Sequence, residues 1–196
     1  ERDSEGVKGL LLDRGYTFTP DLEGAEVILF NTCSVRQHAE DRVFGRSGLL
    51  SAIKKDRPGT VIGILGCMAQ EHGDAFFRRI PSLDLVCGPG NIADIPEILD
   101  RVFADRVKVT AIDKINDPGY TMDRVTYRSH RVRASVNIMS GCDHKCTYCI
   151  VPMTRGIERS RPPDDLVREV RSLTDRGFKD SLLLGQKVNC YGKKLE

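Results

Sequence analysis

The stretch Gly141-Cys142-Asp143-His144-Lys145-Cys146-Thr147-Tyr148-Cys149 sets three cysteines in a C-x3-C-x2-C spacing on one loop. Three thiolates this close converge on one point. A cubane cluster has four irons, so three cysteine ligands hold three of them and leave the fourth open to a small molecule, unlike the four-cysteine electron-transfer pattern. The competing reading is a zinc site, but structural zinc takes four ligands, usually from two paired knuckles. No second pair occurs in the chain, and His144 stands at an awkward spacing for a fourth ligand.

The flanks of this loop read as strand–loop–helix–strand. An apolar-rich strand over 132–139 leads into it. The helix that follows has Pro162 and Pro163 at its start, Asp164 and Asp165 in its first turn, and Gly177 after its end. Leu166, Val167, Val170 and Leu173 supply its buried face, and 179–184 is the next strand. One such unit cannot complete a domain.

Toward the amino terminus the pattern alternates, with helices predicted over 6–14, 35–55, 69–79 and 95–103 and solid apolar strands over 25–30, 60–65 and 83–86. Such alternation implies right-handed crossovers and a parallel sheet covered on both faces. The fold class is therefore α/β: an open parallel α/β domain over 1–112, a polar linker over 113–130 containing Asn116-Asp117-Pro118-Gly119, and a second unit over 131–196. The chain opens on a helix where this logic expects a strand. That predicts a piece of a longer protein whose first strand is missing and whose second unit is truncated.

Of 196 residues, 40% are hydrophobic and 30% charged, with no tryptophan and no apolar run able to span a bilayer. The charged opening Glu1-Arg2-Asp3-Ser4-Glu5 does not read as a signal peptide, so a cytoplasmic setting is expected. Seven cysteines, three of them clustered, fit metal or redox chemistry better than a disulfide framework. A formal charge of +2 is close to neutral, but Arg124, Arg128, Arg131, Arg133, Lys145, Arg155, Arg159 and Arg161 face only Asp143 and Glu158 in the region around the loop. Phosphate binding, a solvated surface and internal salt bridges all remain open for these side chains.

Two further cysteines, Cys33 and Cys67, each sit just past the carboxyl end of a predicted strand, and such ends share one crevice in an open sheet. They are either ligands that meet in space or small buried hydrophobes. Cys87 also follows a predicted strand, so geometry alone leaves it open as a third partner.

The loop resembles the signature of the radical S-adenosylmethionine superfamily, including the aromatic Tyr148 before the last cysteine. The longer run Cys146-Thr147-Tyr148-Cys149-Ile150-Val151-Pro152, then Thr154-Arg155-Gly156 and Ser160-Arg161-Pro162, is similar to the methylthiotransferase family within it. So are Leu184-Gly185-Gln186-Lys187-Val188-Asn189, where Lys187 departs from the family's asparagine, and upstream Asn31-Thr32-Cys33-Ser34-Val35-Arg36 and Gly66-Cys67-Met68-Ala69-Gln70. The resemblance implies that the second unit is the first part of a (β/α) partial barrel, with Cys142, Cys146 and Cys149 holding a catalytic [4Fe-4S] cluster whose open iron binds S-adenosylmethionine. It further implies cofactor contacts from Tyr148, Gly185 and Gln186, and a second [4Fe-4S] cluster on Cys33 and Cys67. The third ligand of that cluster would lie in a loop before the first helix, while Cys87 is structural and Cys190 has no role. The Ser-Val-Arg after Cys33 most resembles the branch that adds a methylthio group to carbon 2 of an isopentenylated adenosine beside the tRNA anticodon. Sister branches act on threonylcarbamoyladenosine or on a ribosomal-protein aspartate, and a non-enzymatic metal-binding RNA module is a more distant alternative. The implied partners are tRNA, S-adenosylmethionine and an electron donor of the flavodoxin type, with no membrane.

Overall fold

The computed structural model describes residues 2–35, 37–116 and 127–195. Arg36, Arg124 and most of the predicted linker lie outside these residues. Helix α1 (Arg2–Asp13) precedes a parallel sheet of β1 (Val27–Thr32), β2 (Val61–Gly66), β3 (Leu85–Cys87) and β4 (Val109–Ala111), in that spatial order. Between β1 and β2 run α2 (Gln37–Gly45) and α3 (Ser47–Asp56); between β2 and β3 run α4 (Cys67–His72) and α5 (Ala75–Arg79). A 3-10 turn (Pro89–Asp94) and α6 (Ile95–Asp105) lead from β3 to β4.

The apolar runs over 60–65 and 83–86 become buried central strands, whereas that over 25–30 forms the half-buried edge strand β1, and both faces of the sheet are covered. Val61, Leu65, Leu85 and Val109 pack on Val7 and Leu11 of α1 and on Ile95, Ile98, Leu99 and Val102 of α6. Ile62, Ile64 and Val86 face Val43, Leu50, Met68, Phe76 and Ile80 from α2 to α5. This arrangement corrects one expectation. The strands follow one another across the sheet, yet the first two connections cover one face and the third covers the other. The third crossover is therefore of opposite hand to the first two, and a uniform right-handed winding does not hold. The 3-10 turn brings Ile92 and Ile95 beside α1, where burial with Val7 and Leu11 outweighs the handedness preference.

Boundaries moved for local reasons. The first strand is offset by two residues from its apolar run: pairing begins at Val27 with Val61 and continues through Asn31 and Thr32 to Leu65 and Gly66. The long helix expected over 35–55 breaks at Arg46, and that over 69–79 breaks at Gly73, whose φ of +46° departs from helical geometry.

The second unit pairs β5 (Arg133–Asn137) in parallel with β8 (Asp180–Leu184), with α8 (Pro163–Asp175) packed over them through Leu173, Leu166 and Val170 against Ala134 and Val136. The strand expected over 132–139 is split at Ile138. Its N–H donates to Leu184 O at 2.9 Å while its carbonyl accepts from Arg161 N at 2.9 Å, so the chain changes partner there. Beyond it, β6 (Met139–Ser140) pairs antiparallel with β7 (Arg159–Ser160), and a short helix, α7 (Val151–Arg155), lies between them. Sequence patterning missed the ribbon and α7 because each is too short to show a period.

Helix α1 has two buried faces. Its apolar stripe meets the sheet, while Arg2, Asp3 and Glu5 are also buried and turn toward the second unit. Glu169 of α8 accepts from Arg2 at 3.0 Å, from Arg128 at 2.7 Å and from Arg161 at 2.7 Å. Glu5 accepts from Arg128 at 3.2 Å and from the Ser129 N–H at 2.8 Å. Burial pulls the Arg2 guanidinium down to about 10, Glu169 pulls it back up, and the neighbouring Arg128 and Arg161 lower it. It remains charged at neutral pH.

Candidate functional site

The ribbon of β6 and β7 pinches off residues 141–158 as a closed loop. Inside it, Cys142 N donates to Gly156 O at 3.1 Å, Glu158 N to Asp143 Oδ1 at 2.9 Å, and Cys149 N to Cys146 O at 3.1 Å. Lys194 ion-pairs with Asp143; that bond, then the Glu158 N–H, holds the Asp143 carboxyl below its usual range. Gly141, at φ +77°, has no room for a side chain: a Cβ would lie 1.9 Å from Ile157 O. The residue before the first cysteine must be glycine for the loop to close.

Cys142 and Cys149 are half-buried, Cys146 is exposed, and all are free thiols. Among the described residues they do not form a group with all ligand atoms within 4.8 Å of one another. A Zn–S bond of about 2.3 Å would set tetrahedral sulfurs roughly 3.8 Å apart. A cluster places each thiolate on its own iron, so a set of three free thiols on one loop is a donor set suited to a cluster. A cavity of about 310 Å³ lies beside Cys142, lined in part by His144, Pro152 and Ile157.

Tyr148 is 92% exposed on the loop. Gly185 and Gln186 follow β8, whose last residue, Leu184, is the register partner of Asn137 in β5. The strand ends feeding the cysteine loop and the Gly185-Gln186 segment thus lie on one edge. His144 Nε2 and Lys187 Nζ stand 2.6 Å apart across it, which leaves His144 engaged by the very residue that departs from the family's motif.

Cys33 and Cys67 follow Thr32 and Gly66, which are register partners, so adjacent strands bring the two cysteines to one edge as expected. Cys33 is exposed and Cys67 is buried. Gly66, at φ +93°, lets β1 approach: a Cβ there would meet Thr32 O at 2.5 Å. Each of these two turns into a cysteine site therefore relies on a glycine immediately before the cysteine. Cys87 is fully buried in the core, and burial, followed by Asp94 and Asp113, pushes its thiol up to about 12. Such a thiol is a packing group. Cys190 is likewise buried, against Ile138 and Met139.

The two cysteine regions meet through α4 and α7. Arg155, the last residue of α7, donates through Nε to Cys67 Sγ at 3.3 Å and through Nη2 to Asp3 Oδ2 at 2.7 Å. Other arginines of the basic region are also used internally. Arg128 and Arg161 belong to the buried network and Arg159 donates to Ile115 O at 3.0 Å, while Arg133 makes an exposed pair with Asp180 at 2.5 Å. Arg131 and Lys145 are exposed. The sequence places Arg155 in the basic region around the loop; that it reaches Cys67 depends on a fold contact with no local signal.

A strand-fed three-cysteine loop on a parallel βαβ unit defines a radical S-adenosylmethionine protein. Residues 136–196 match the radical SAM superfamily, and residues 1–88 match the uncharacterized protein family UPF0004. The two matches together span most of the chain, in the order expected of a radical S-adenosylmethionine methylthiotransferase. It is 44% identical over 199 residues to a Bacillus licheniformis protein named tRNA-2-methylthio-N(6)-dimethylallyladenosine synthase, covering 100% of this chain and 39% of that protein. Proteins of the same name from Staphylococcus saprophyticus and Bacillus subtilis are 44% and 42% identical, over 99% and 100% of this chain and 38% and 39% of their own length. The chain thus spans about 39% of the length of the curated relatives it matches. The match of residues 136–196 to the radical SAM superfamily implies S-adenosylmethionine and iron–sulfur chemistry, and the thiols of the loop are suitable donors. No helix among the described residues is long and apolar enough to cross a membrane.

Proposed function

We propose that the protein containing this chain adds a methylthio group to carbon 2 of an isopentenylated adenosine beside the tRNA anticodon, in the cytoplasm. The observation that carries this reading is the α4–α7 contact, in which Arg155 bonds Cys67 at 3.3 Å and sets the two cysteine regions side by side. A reaction that needs both a radical initiator and a sulfur source requires two such centres in reach of one substrate.

Cys142, Cys146 and Cys149 hold one [4Fe-4S] cluster, and Cys33 with Cys67 contributes two ligands to a second. When bound, the first cluster with S-adenosylmethionine supplies one-electron radical chemistry and the second presents the sulfur. The protein's own contribution is positional. Gly141 and Gly66 set the turns, the β6–β7 ribbon closes the loop, and Tyr148, Gly185 and Gln186 flank the cofactor at the shared strand edge. Residues 1–112 act as the sulfur-presenting domain and residues 131–196 as the start of the initiating one, joined by a linker over 113–130. With most of the nearby arginines used internally, phosphate contact from this chain falls to exposed cations such as Lys145 and Arg131, with the reacting base unstacked into the cavity. A flavodoxin-type protein supplies the electron.

The test is nucleoside mass spectrometry of tRNA from cells lacking the gene, then complemented with the full-length protein. Loss and return of the 2-methylthio nucleoside is expected. Its persistence without a second enzyme to make it overturns the assignment, and a colourless protein holding one zinc after anaerobic reconstitution overturns the chemistry.

A further inference from the structure

Away from the cysteines, α2 and the end of α4 bring Glu40, Glu71 and His72 together, with one ligand atom from each lying within 4.8 Å of the others. The His72 Nε2 atom is buried and has no hydrogen-bond partner. Its nearest carboxylate oxygen, Glu40 Oε1, stands at 3.8 Å, too far for a hydrogen bond. The imidazole is fixed edge-on against Phe76, with centroids 5.2 Å apart, and against Phe44, at 6.4 Å. The buried Nε2 therefore faces the two carboxylates without a hydrogen bond to either. Neither Glu40 nor Glu71 is paired with a lysine or arginine among the described residues.

A cation fits this gap. Ligand bonds of about 2.0–2.1 Å in tetrahedral geometry place neighbouring donor atoms roughly 3.4 Å apart; His72 and Glu40 stand at 3.8 Å and all three donors within 4.8 Å, so side-chain rotation of about an ångström closes the site. One neutral imidazole and two carboxylates balance a divalent charge, and a nitrogen donor selects a zinc-like ion over magnesium or calcium. We propose that Glu40, Glu71 and His72 bind a divalent cation of the zinc class, independent of any iron–sulfur cluster and of the methylthiotransferase reading. Such an ion clips α2 to α4. Helix α2 starts at Gln37, shortly after Cys33, and α4 starts at Cys67, so the clip restrains both cysteine-bearing turns.

The test uses the full chain, freed of metal under reducing conditions and titrated with cobalt(II) chloride and zinc chloride, alongside Glu71→Gln and His72→Gln. Glu71 is exposed, so its substitution leaves the fold intact and provides the decisive arm. The wild type is expected to bind one more equivalent of zinc than either variant. The cobalt component lost in the variants should show weak d–d bands without thiolate charge transfer. Zinc should raise the melting temperature of the wild type more than that of Glu71→Gln. Equal stoichiometry in wild type and Glu71→Gln, or a lost component bearing thiolate bands, overturns the site, as does affinity weaker than about 1 mM.

Discussion

Replacing Glu169 with alanine tests whether the buried charges hold the two units together. The carboxylate is 9% exposed and takes hydrogen bonds from Arg2 and Arg128, each 3% exposed, and from Arg161, 12% exposed. At an effective dielectric of about 20, each contact is worth roughly 4 kcal/mol before desolvation. Desolvation offsets much of that in the intact network, yet deletion removes the carboxylate that three buried guanidinium groups share. Breaking a buried pair this way costs about 3–5 kcal/mol. With a urea dependence of about 2 kcal/mol per molar, the midpoint should fall by roughly 1.5–2.5 M. Urea unfolding followed by circular dichroism measures it. Because the network joins α1 to α8, the variant's transition should also split as the second unit lets go first. Arg168→Ala, at an exposed pair with Asp165, is the control and should change stability by less than about 0.5 kcal/mol. A midpoint shift in Glu169→Ala below about 0.5 M, roughly 1 kcal/mol, would refute the account.

Gly141→Ala forces a Cβ into Ile157 O and should cost about 3 kcal/mol or more at a positive-φ position, with loss of iron incorporation measured by iron analysis after reconstitution. Arg155→Ala should leave Cys67 unclasped and raise its rate of iodoacetamide labelling, read by peptide mass spectrometry; an unchanged rate would show that Arg155 does not guard it. In the native chain Cys33 and Cys146 should label quickly while Cys87 stays protected. Because the Cys87 thiol is raised from 9.0 to about 12, both states hold its proton below pH 9, so it has no effect there. Above pH 9 the unfolded chain loses that proton first, and folding stability should fall by roughly 1.4 kcal/mol per pH unit until about pH 12. Cys87→Ala should flatten that slope in urea melts taken between pH 9 and 10.5, the lower part of that window.

The legible parts of this fold are those whose physics is local. Solid runs such as 61–66 become buried parallel strands because no polar side chain interrupts them, and Pro163 with Asp164 and Asp165 marks the start of α8 because proline and acidic groups suit an unsatisfied helix end. The loop cysteines were visible from spacing alone. What stayed hidden depends on contacts distant in sequence. Arg2, Asp3 and Glu5 look like a solvated helix tip, and only the docking of α8 makes them interior. Arg128 and Arg161 look like phosphate ligands until Glu169 claims them. Ile138 changes strand partners with no sign in its own identity, and the crossover that reverses hand is decided by where α1 offers apolar surface.

The bond from Arg155 to Cys67 also carries a thermodynamic obligation. Any ligand taken up at Cys67 alters the sulfur to which this guanidinium donates, and any ligand ordering residues 142–149 acts on the helix from which Arg155 extends. Where both regions take up ligands, this bond offers a link between their occupancies, and linkage is reciprocal: the factor by which filling one region changes affinity at the other is returned unchanged in the opposite direction. Order of loading then cannot alter the total binding free energy. It alters only which of the two steps displays the coupling.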